Sequence, residues 1–150
     1  MSNKWIFTKS KPYLDSWNSI VLNDQNSTFL QYIHRVNSYS KFGFDWELQL
    51  LINESGEIIL GSANIFISYP FFKLYICSYG PSFSETFSKK NIFFTEYMAE
   101  FQNRSKQLKC AFSQISIENE LISLSHSNIR ENFKLKEISY ANSVNRIKLL

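Results

Sequence analysis

The segment Ile76-Cys77-Ser78-Tyr79-Gly80-Pro81 constrains the fold more than any other part of the sequence. It begins as an apolar strand and ends abruptly, because glycine permits positive φ whereas proline fixes φ and removes a backbone donor. A helix-forming stretch follows, so the strand has to end at Tyr79-Gly80-Pro81 and expose its terminus. Strand ends of this kind often line binding sites in α/β folds.

Length and composition indicate one globular domain over residues 1–150. Hydrophobic residues make up 44% of the chain and charged residues 19%, a balance typical of a packed core rather than of disorder. The net charge of +3 is small and the cations are scattered. We therefore expect no DNA partner.

Cysteine usage and hydropathy indicate a cytoplasmic protein. Cys77 and Cys110 lie in segments that read as buried strands and have no metal-ligand spacing, so we expect two reduced core thiols and no metal site. The N-terminus has no signal-peptide apolar region, and no apolar run approaches the roughly 20 residues that span a bilayer. We therefore predict a cytoplasmic location and no transmembrane segment.

The first third of the sequence predicts one strand followed by two helices. The strand covers residues 5–8, and Thr28 offers an N-cap for the second helix, which Gly43 closes. Apolar residues recur at helical spacing in both helices. They are Leu14, Trp17, Val21 and Leu22 in the first helix and Phe29, Ile33 and Val36 in the second.

The period then changes to that of strands. Residues 44–52 and 58–69 flank a turn at Asn53-Glu54-Ser55-Gly56 and predict an antiparallel hairpin, and residues 71–79 add a third strand. The aromatic residues of this region would suit either a base-stacking platform or the core, and we expect the core. They are Tyr69, Phe71, Phe72, Tyr75 and Tyr79.

The second half predicts a helix, a strand, a short helix and two late strands. The long helix begins at Ser88, with an apolar stripe at Ile92, Phe93, Tyr97, Phe101 and Leu108. Residues 110–117 form the strand and 118–127 the short helix, and residues 133–140 and 144–150 are the late strands. The expected fold class is α+β: one mixed, mainly antiparallel sheet with helices on both faces.

Several short motifs lie along this order of elements. They include Trp17, Ser27-Thr28-Phe29-Leu30-Gln31, Glu57-Ile58-Ile59-Leu60-Gly61-Ser62-Ala63 and Tyr79-Gly80-Pro81 with the helix after it. Two further motifs are Ser113-Gln114-Ile115-Ser116-Ile117-Glu118 and Asn132-Phe133. With this order, the motifs resemble the N-terminal GNAT-like (N-acetyltransferase-like) domain of the Fem peptidoglycan-bridge aminoacyltransferases. The resemblance covers nearly the whole chain.

The resemblance implies a tandem of two such domains. The first helps to bind the acceptor amine of a cell-wall precursor, and the second carries most of the acyl-donor site, with acyl-CoA or aminoacyl-tRNA as co-substrate. This chain resembles the first domain alone. None of its four glycines lies in the Gln/Arg-x-x-Gly-x-Gly/Ala loop by which acetyltransferases hold a pyrophosphate, so we expect no donor site in this chain alone.

The same resemblance implies the site residues. The acceptor would lie near Tyr79, Gly80 and Pro81. Fem relatives often carry an Asp three residues after the proline, where this chain has Ser84, and the adjacent Glu85 is the candidate acid or base. Relatives hold an acceptor phosphate with a basic residue late in the second helix, and the nearest candidates are Arg35 and Lys41, which also suit a solvated helix surface.

Other arrangements of catalytic residues are not indicated. His34 reads as a helix-surface imidazole, and His126 has no Cys or carboxylate at metal spacing. Glu118 and Glu120 are separated by one residue, a spacing typical of solvated acids or of caps for the next helix.

Two hypotheses remain open. One is the acceptor-binding first lobe of an acyl- or aminoacyl-transferring enzyme; the other is a catalytically silent GNAT-like binding or assembly module. The apolar end at Leu149-Leu150 predicts an exposed sheet edge that pairs with a second lobe or with another copy of the chain.

Overall fold

The computed structural model describes residues 3–25, 27–84, 90–117, 135–141 and 144–149. Its strands are β1 (Lys4–Thr8), β2 (Asp45–Ile52), β3 (Ile58–Ser68), β4 (Lys73–Cys77), β5 (Ser82–Phe83), β6 (Phe112–Ile117), β7 (Leu135–Ala141) and β8 (Val144–Leu149). Its helices are α1 (Lys11–Asn23), α2 (Ile33–Ser38) and α3 (Lys90–Gln107), with 3-10 turns at Phe29–Gln31 and Tyr39–Phe42.

The strands form one mixed sheet in the order β1-β2-β3-β4-β6-β8-β7, with β5 paired to β3. Neighbours are antiparallel except for β4 and β6, which run parallel. The expected fold class is confirmed. The expectation that the last strand forms an exposed edge of the sheet is wrong, because β8 lies between β6 and β7 and has a partner on both sides.

Helices cover both faces of the sheet, as predicted. On one face α1 and α2 bury Trp17, Val21, Ile33 and Val36 against β2 and β3. On the other face α3 packs on β4 and β6. Its buried side chains are Phe94, Tyr97, Met98 and Phe101. Phe94 and Met98 widen the predicted stripe, because the sheet beneath α3 is broad enough to bury more than one helical row.

The predicted second helix is divided into three short pieces. Tyr32 adopts an extended conformation with ψ 138° between the first 3-10 turn and α2, which interrupts the helical hydrogen bonding. Gly43, with φ 78°, ends the last piece as expected. Because of the break at Tyr32, Phe29 turns to solvent and is 65% exposed rather than in the predicted stripe, and Leu22 of the first stripe is 69% exposed.

The expectation that the hairpin aromatics lie in the core is correct for Tyr75, which is fully buried, and wrong for the turn before β4. Phe71 is 96% exposed, and Tyr69 and Phe72 are 45% and 42% exposed. The reason is the register: β2 pairs with β3 only up to Phe66, so the turn projects past the neighbouring strand.

The beginning of the long helix at Ser88, the helix expected over 118–127, and the residues His126, Glu118, Glu120, Asn132 and Phe133 lie outside the described residues. Within the described part of the chain, no helix has both the length and the hydropathy required to cross a membrane.

Candidate functional site

The parallel strands β4 and β6 separate within the segment from Ile76 to Pro81. Their register runs from Leu74 and Phe112 to Cys77 and Ile115, and β6 then continues to Ile117 while the chain leaves β4 at Ser78. The backbone N–H of Gly80 donates to the carbonyl of Ser116 at 3.2 Å, so the departing loop stays attached to β6. The strand ends at Cys77, close to the predicted point.

Gly80 serves this loop through its size and not through a positive φ. The left-handed residue is its neighbour Tyr79, with φ 57°, and the Gly80–Pro81 peptide is cis. A Cβ at position 80 would lie 2.7 Å from Cys77 Sγ and 3.1 Å from Ser62 Cβ. Gly80 and Pro81 are buried and Tyr79 is half-buried, so the first two contribute to the frame of the site rather than to its surface.

The side chain of Gln31 fills a gap in the sheet beside this loop. β3 pairs with β4 at Asn64 and with β5 at Gly61, which leaves Ser62 and Ala63 without a strand partner on that side. Gln31 Oε1 accepts from the backbone N–H of Ala63 at 2.8 Å, and Gln31 Nε2 donates to the carbonyl of Ser78. The indole of Trp17 donates to the Gln31 carbonyl at 2.8 Å and fixes its backbone.

A chain of buried hydrogen bonds runs from this gap across the sheet beneath α3. Tyr97 donates to Ser62 Oγ at 2.8 Å, and Ser62 donates to Asn64 Oδ1 at 2.8 Å. Asn64 Nδ2 then donates to Tyr75 Oη at 2.9 Å, and Tyr75 donates to Glu47 Oε1 at 2.9 Å. Sequence reasoning missed this network, although Gln49 and Asn64, polar residues inside strands, were a detectable indication.

The network ends at a partly buried ion pair. Arg104 of α3 binds Glu47 through two hydrogen bonds, Nε to Oε1 at 2.8 Å and Nη2 to Oε2 at 2.7 Å. Hydrogen bonding to Glu47 raises the pKa of Arg104, and burial, with the Glu47 charge, raises the pKa of Tyr75. The Cys77 thiol lies beside Tyr97, at the other end of the network, and burial raises its pKa to about 11. The Tyr75 hydroxyl and the Cys77 thiol are therefore protonated at neutral pH, and Cys77 is neither nucleophilic nor exposed.

The candidate site residue Ser84 lies at an open groove of about 750 Å³. The groove runs between the first half of α1 and the turn that joins β2 to β3. Its lining includes the hydroxyl residues Tyr13, Ser16, Ser19, Ser55 and Ser84, together with Glu57. Ser84 Oγ donates to the carbonyl of Ile59 at 2.9 Å, which fixes the residue at the groove wall. No Lys or Arg is among the described residues that line the groove.

Three backbone donors of the loop after β4 are used within the protein. Gly80 N–H donates to Ser116, Phe83 N–H to Asp24 Oδ2 at 2.9 Å and Ser84 N–H to Ile59 at 2.9 Å, while Pro81 has no N–H. A pyrophosphate cradle needs several such donors directed at the ligand. The N–H groups of Gly80, Phe83 and Ser84 are therefore not directed at a pyrophosphate.

The sequence candidates Arg35 and Lys41 are not among the residues that line the groove. Arg35 is exposed on α2, and its guanidinium lies 5.0 Å from the ring centroid of Tyr39, one helical turn away. Lys41 is exposed on the following 3-10 turn. Glu85 lies outside the described residues. His34 is exposed on α2, as predicted for a surface imidazole.

No protein-family model and no curated protein matches the sequence. Solved structures do match the fold. FemX superposes with a TM-score of 0.63 at 17% identity over 92% of this chain, and this chain spans only 34% of the FemX chain. A GNAT-family acetyltransferase from Staphylococcus aureus MU50 gives a TM-score of 0.61 at 11% identity over 99% of this chain and 100% of its own length.

A third match is a GNAT-family acetyltransferase from Elizabethkingia anophelis with acetyl-CoA bound, with a TM-score of 0.58 at 12% identity over 98% of this chain and 97% of its own. At these identities the likeness concerns the fold. In this chain, a mostly antiparallel sheet lies between helices. The chain therefore has the GNAT fold.

Proposed function

We propose that this chain is an acyltransferase-type domain that binds the amine-bearing acceptor, as the first lobe of a Fem-type enzyme acting on a cell-wall precursor. In the reaction, the acceptor amine attacks the acyl carbon of a thioester or ester, the amide bond forms, and the thiol or alcohol leaves. Positioning of the two substrates supplies much of the rate in such a transfer. The observation that carries the proposal is the groove at Ser84, on a domain with the GNAT fold.

The chemistry of the groove supports an acceptor of this class. Five hydroxyl side chains offer hydrogen bonds to the sugar or peptide part of a precursor, and the Glu57 carboxylate attracts a protonated amine. Asn53 Nδ2 donates to Glu57 Oε2 at 2.8 Å and holds the carboxylate in place. Any phosphate of the precursor would lie beyond this lining, where Arg35 and Lys41 remain the candidate cations.

The donor is proposed to come from elsewhere in a complete enzyme. The N–H groups of Gly80, Phe83 and Ser84 already bond internal acceptors, so these three donors do not hold the pyrophosphate of acyl-CoA. Acyl-CoA or aminoacyl-tRNA would then be held by a second lobe. Glu85 follows directly after Ser84 and remains the proposed acid or base.

The same occupied donors favour a second candidate function: a catalytically silent GNAT-like binding or assembly module. The two candidates differ in whether the groove binds a precursor. The test is a calorimetric titration with a nucleotide-linked muropeptide precursor of the wild-type chain and of Ser19→Trp, in which the indole blocks the groove.

Ser38→Trp, at a half-exposed serine on α2, is the matched control. Acceptor binding predicts heat for the wild type and for Ser38→Trp, with at least about a tenfold loss of affinity in Ser19→Trp, since a blocked site forfeits most of its contacts. Equal affinity in all three proteins would remove the groove from the proposal, and no heat in any of them would favour the silent module.

A further inference from the structure

The turn between β3 and β4 carries an exposed aromatic cluster, which we call the aromatic tip and define as residues 69–72. Phe71 is 96% exposed, and the rings of Tyr69 and Phe72 pack on each other with centroids 4.8 Å apart. The backbone N–H of Tyr69 donates to the Phe72 carbonyl at 2.8 Å and closes the turn. A fixed turn with its largest apolar side chain in solvent needs a reason, because exposed apolar clusters commonly mark interaction sites.

The aromatic tip projects beyond the sheet. Asp45 is the first residue of β2 and pairs with Phe66, so Ile67 and Ser68 extend past β2. On the other side, β6 pairs with β4 only from Leu74 onward. At about 3.3 Å per residue, the turn begins roughly 7 Å beyond the end of β2. Phe71 lies on this projecting turn and is almost fully exposed.

Cations surround the base of the aromatic tip. Lys73 directly follows it, and its ammonium lies 5.8 Å from the ring centroid of Phe66. The Lys73 carbonyl accepts from the N–H of Ala111, which brings the exposed Lys106 and Lys109, at the end of α3, to the same end of the sheet. None of these three lysines forms an ion pair with a carboxylate that the structure describes, and the acid nearest in register, Asp45, is bound to Lys9.

We propose that the aromatic tip and Lys73, Lys106 and Lys109 dock this domain on an anionic membrane surface, with Phe71 inserted among the lipid headgroups. Aromatic side chains suit the interface between headgroups and acyl chains, and lysines near it are attracted to acidic lipids. A specific protein partner is a poorer match, because such an interface buries about 800 Å² on each side, whereas this tip is a narrow, projecting turn. The proposal does not depend on the acyl-transfer function.

The test is sedimentation of the purified chain with vesicles made of equal parts phosphatidylglycerol and phosphatidylcholine, and with vesicles of phosphatidylcholine alone. Docking predicts binding to the mixed vesicles that weakens as salt is added, because exposed charges are screened. Phe71→Ser should lower the partition coefficient about tenfold, since the inserted side chain no longer leaves water. Phe29→Ser is the matched control, because Phe29 is 65% exposed and lies two residues before Gln31, which contacts Ser78 at the opposite end of β4.

The proposal also predicts that charge reversal at Lys73 and Lys109 to Glu reduces binding to the mixed vesicles. Three results would overturn it: no binding of the wild type to either vesicle, equal binding of Phe71→Ser and Phe29→Ser, or a concentration-dependent dimer that Phe71→Ser dissociates. The last result would assign the aromatic tip to a second copy of this chain. Thermal unfolding monitored by circular dichroism checks that each variant is folded, and since both phenylalanines are exposed, we expect Tm to change little.

Discussion

Gln31 takes the place of a missing strand opposite Ala63. Its Oε1 accepts the Ala63 N–H at 2.8 Å at the point where β3 changes partner from β4 to β5. The gap beside β3 and the Gln31 side chain that fills it thus come from different parts of the sequence. The loop at Tyr79–Pro81 depends on both, because Gln31 also bonds the carbonyl of Ser78.

Replacement of Gln31 by Leu should destabilise the protein strongly. The buried N–H of Ala63 and the part-buried carbonyl of Ser78 lose their partner. Since a buried polar group left unsatisfied costs about 1–3 kcal/mol, we expect a loss of about 2–4 kcal/mol in the free energy of unfolding. Urea denaturation measures this loss. Gln25→Leu, at an exposed glutamine, is the control, and an equal effect at both positions would contradict the role of Gln31.

The Glu47–Arg104 pair should contribute measurably to stability. A double-mutant cycle with Glu47→Gln and Arg104→Met should give a coupling energy of about 1–3 kcal/mol, because the pair has two charge-assisted hydrogen bonds and is partly buried. The exposed pair Lys11–Asp15, one turn apart on α1, should couple by less than about 0.5 kcal/mol. Similar coupling energies for the two pairs would show that the buried polar network does not strengthen the Glu47–Arg104 ion pair.

Gly80→Ala should destabilise the loop, and removal of the neighbouring sulfur should relieve part of the effect. The new Cβ would lie 2.7 Å from Cys77 Sγ, and overpacking of this kind costs about 1–3 kcal/mol. In the double variant Gly80→Ala, Cys77→Ala the closest atom is gone, so the two substitutions should cost less together than the sum of their separate effects. Additive losses in urea denaturation would mean that strain elsewhere causes the damage.

Stability should fall at alkaline pH through Cys77. Burial raises the pKa of its thiol from 9.0 to about 11, so the folded state retains a proton that the unfolded chain releases above pH 9. The stabilisation is complete below pH 9 and is lost as the pH rises toward 11, which amounts to about 1 kcal/mol between pH 8 and pH 10. Urea denaturation of Cys77→Ala over the same pH range should show a loss in the free energy of unfolding that is smaller by this amount. If the free energy of unfolding depends on pH equally in the variant and the wild type, the assignment to Cys77 is contradicted.

The fold was predictable because hydrophobic periodicity changes clearly along the chain. The alternation from Trp46 to Ile52, the turn at Gly56 and the helical spacing of Tyr97 and Phe101 each specify an element locally. The order of the strands could not be predicted in the same way, because it depends on contacts between segments that are distant in the sequence. An example is β8, which lies between β6 and β7.

The candidate site was predictable only in part. Tyr79-Gly80-Pro81 predicted the end of the strand, but for a different reason than the structure shows. A glycine is needed at position 80 because a Cβ there would be too close to the Cys77 sulfur, and not because of a positive φ. The polar network escaped prediction because Asn64 of β3 meets Tyr75 of β4 only across the sheet, and Ser62 meets Tyr97 only when α3 packs on the sheet. The exposed Phe71 escaped it because an apolar residue in a turn gives no indication of which side it faces.

The most direct test of the central claim is a pair of calorimetric titrations of the wild-type chain, one with a nucleotide-linked muropeptide precursor and one with a coenzyme A thioester. An acceptor-binding lobe should bind the precursor and give no heat with the thioester, because the loop donors at Gly80, Phe83 and Ser84 are already bonded. Tight binding of the thioester without the precursor would contradict the account, since the chain would then carry the donor site that we assign to a second lobe.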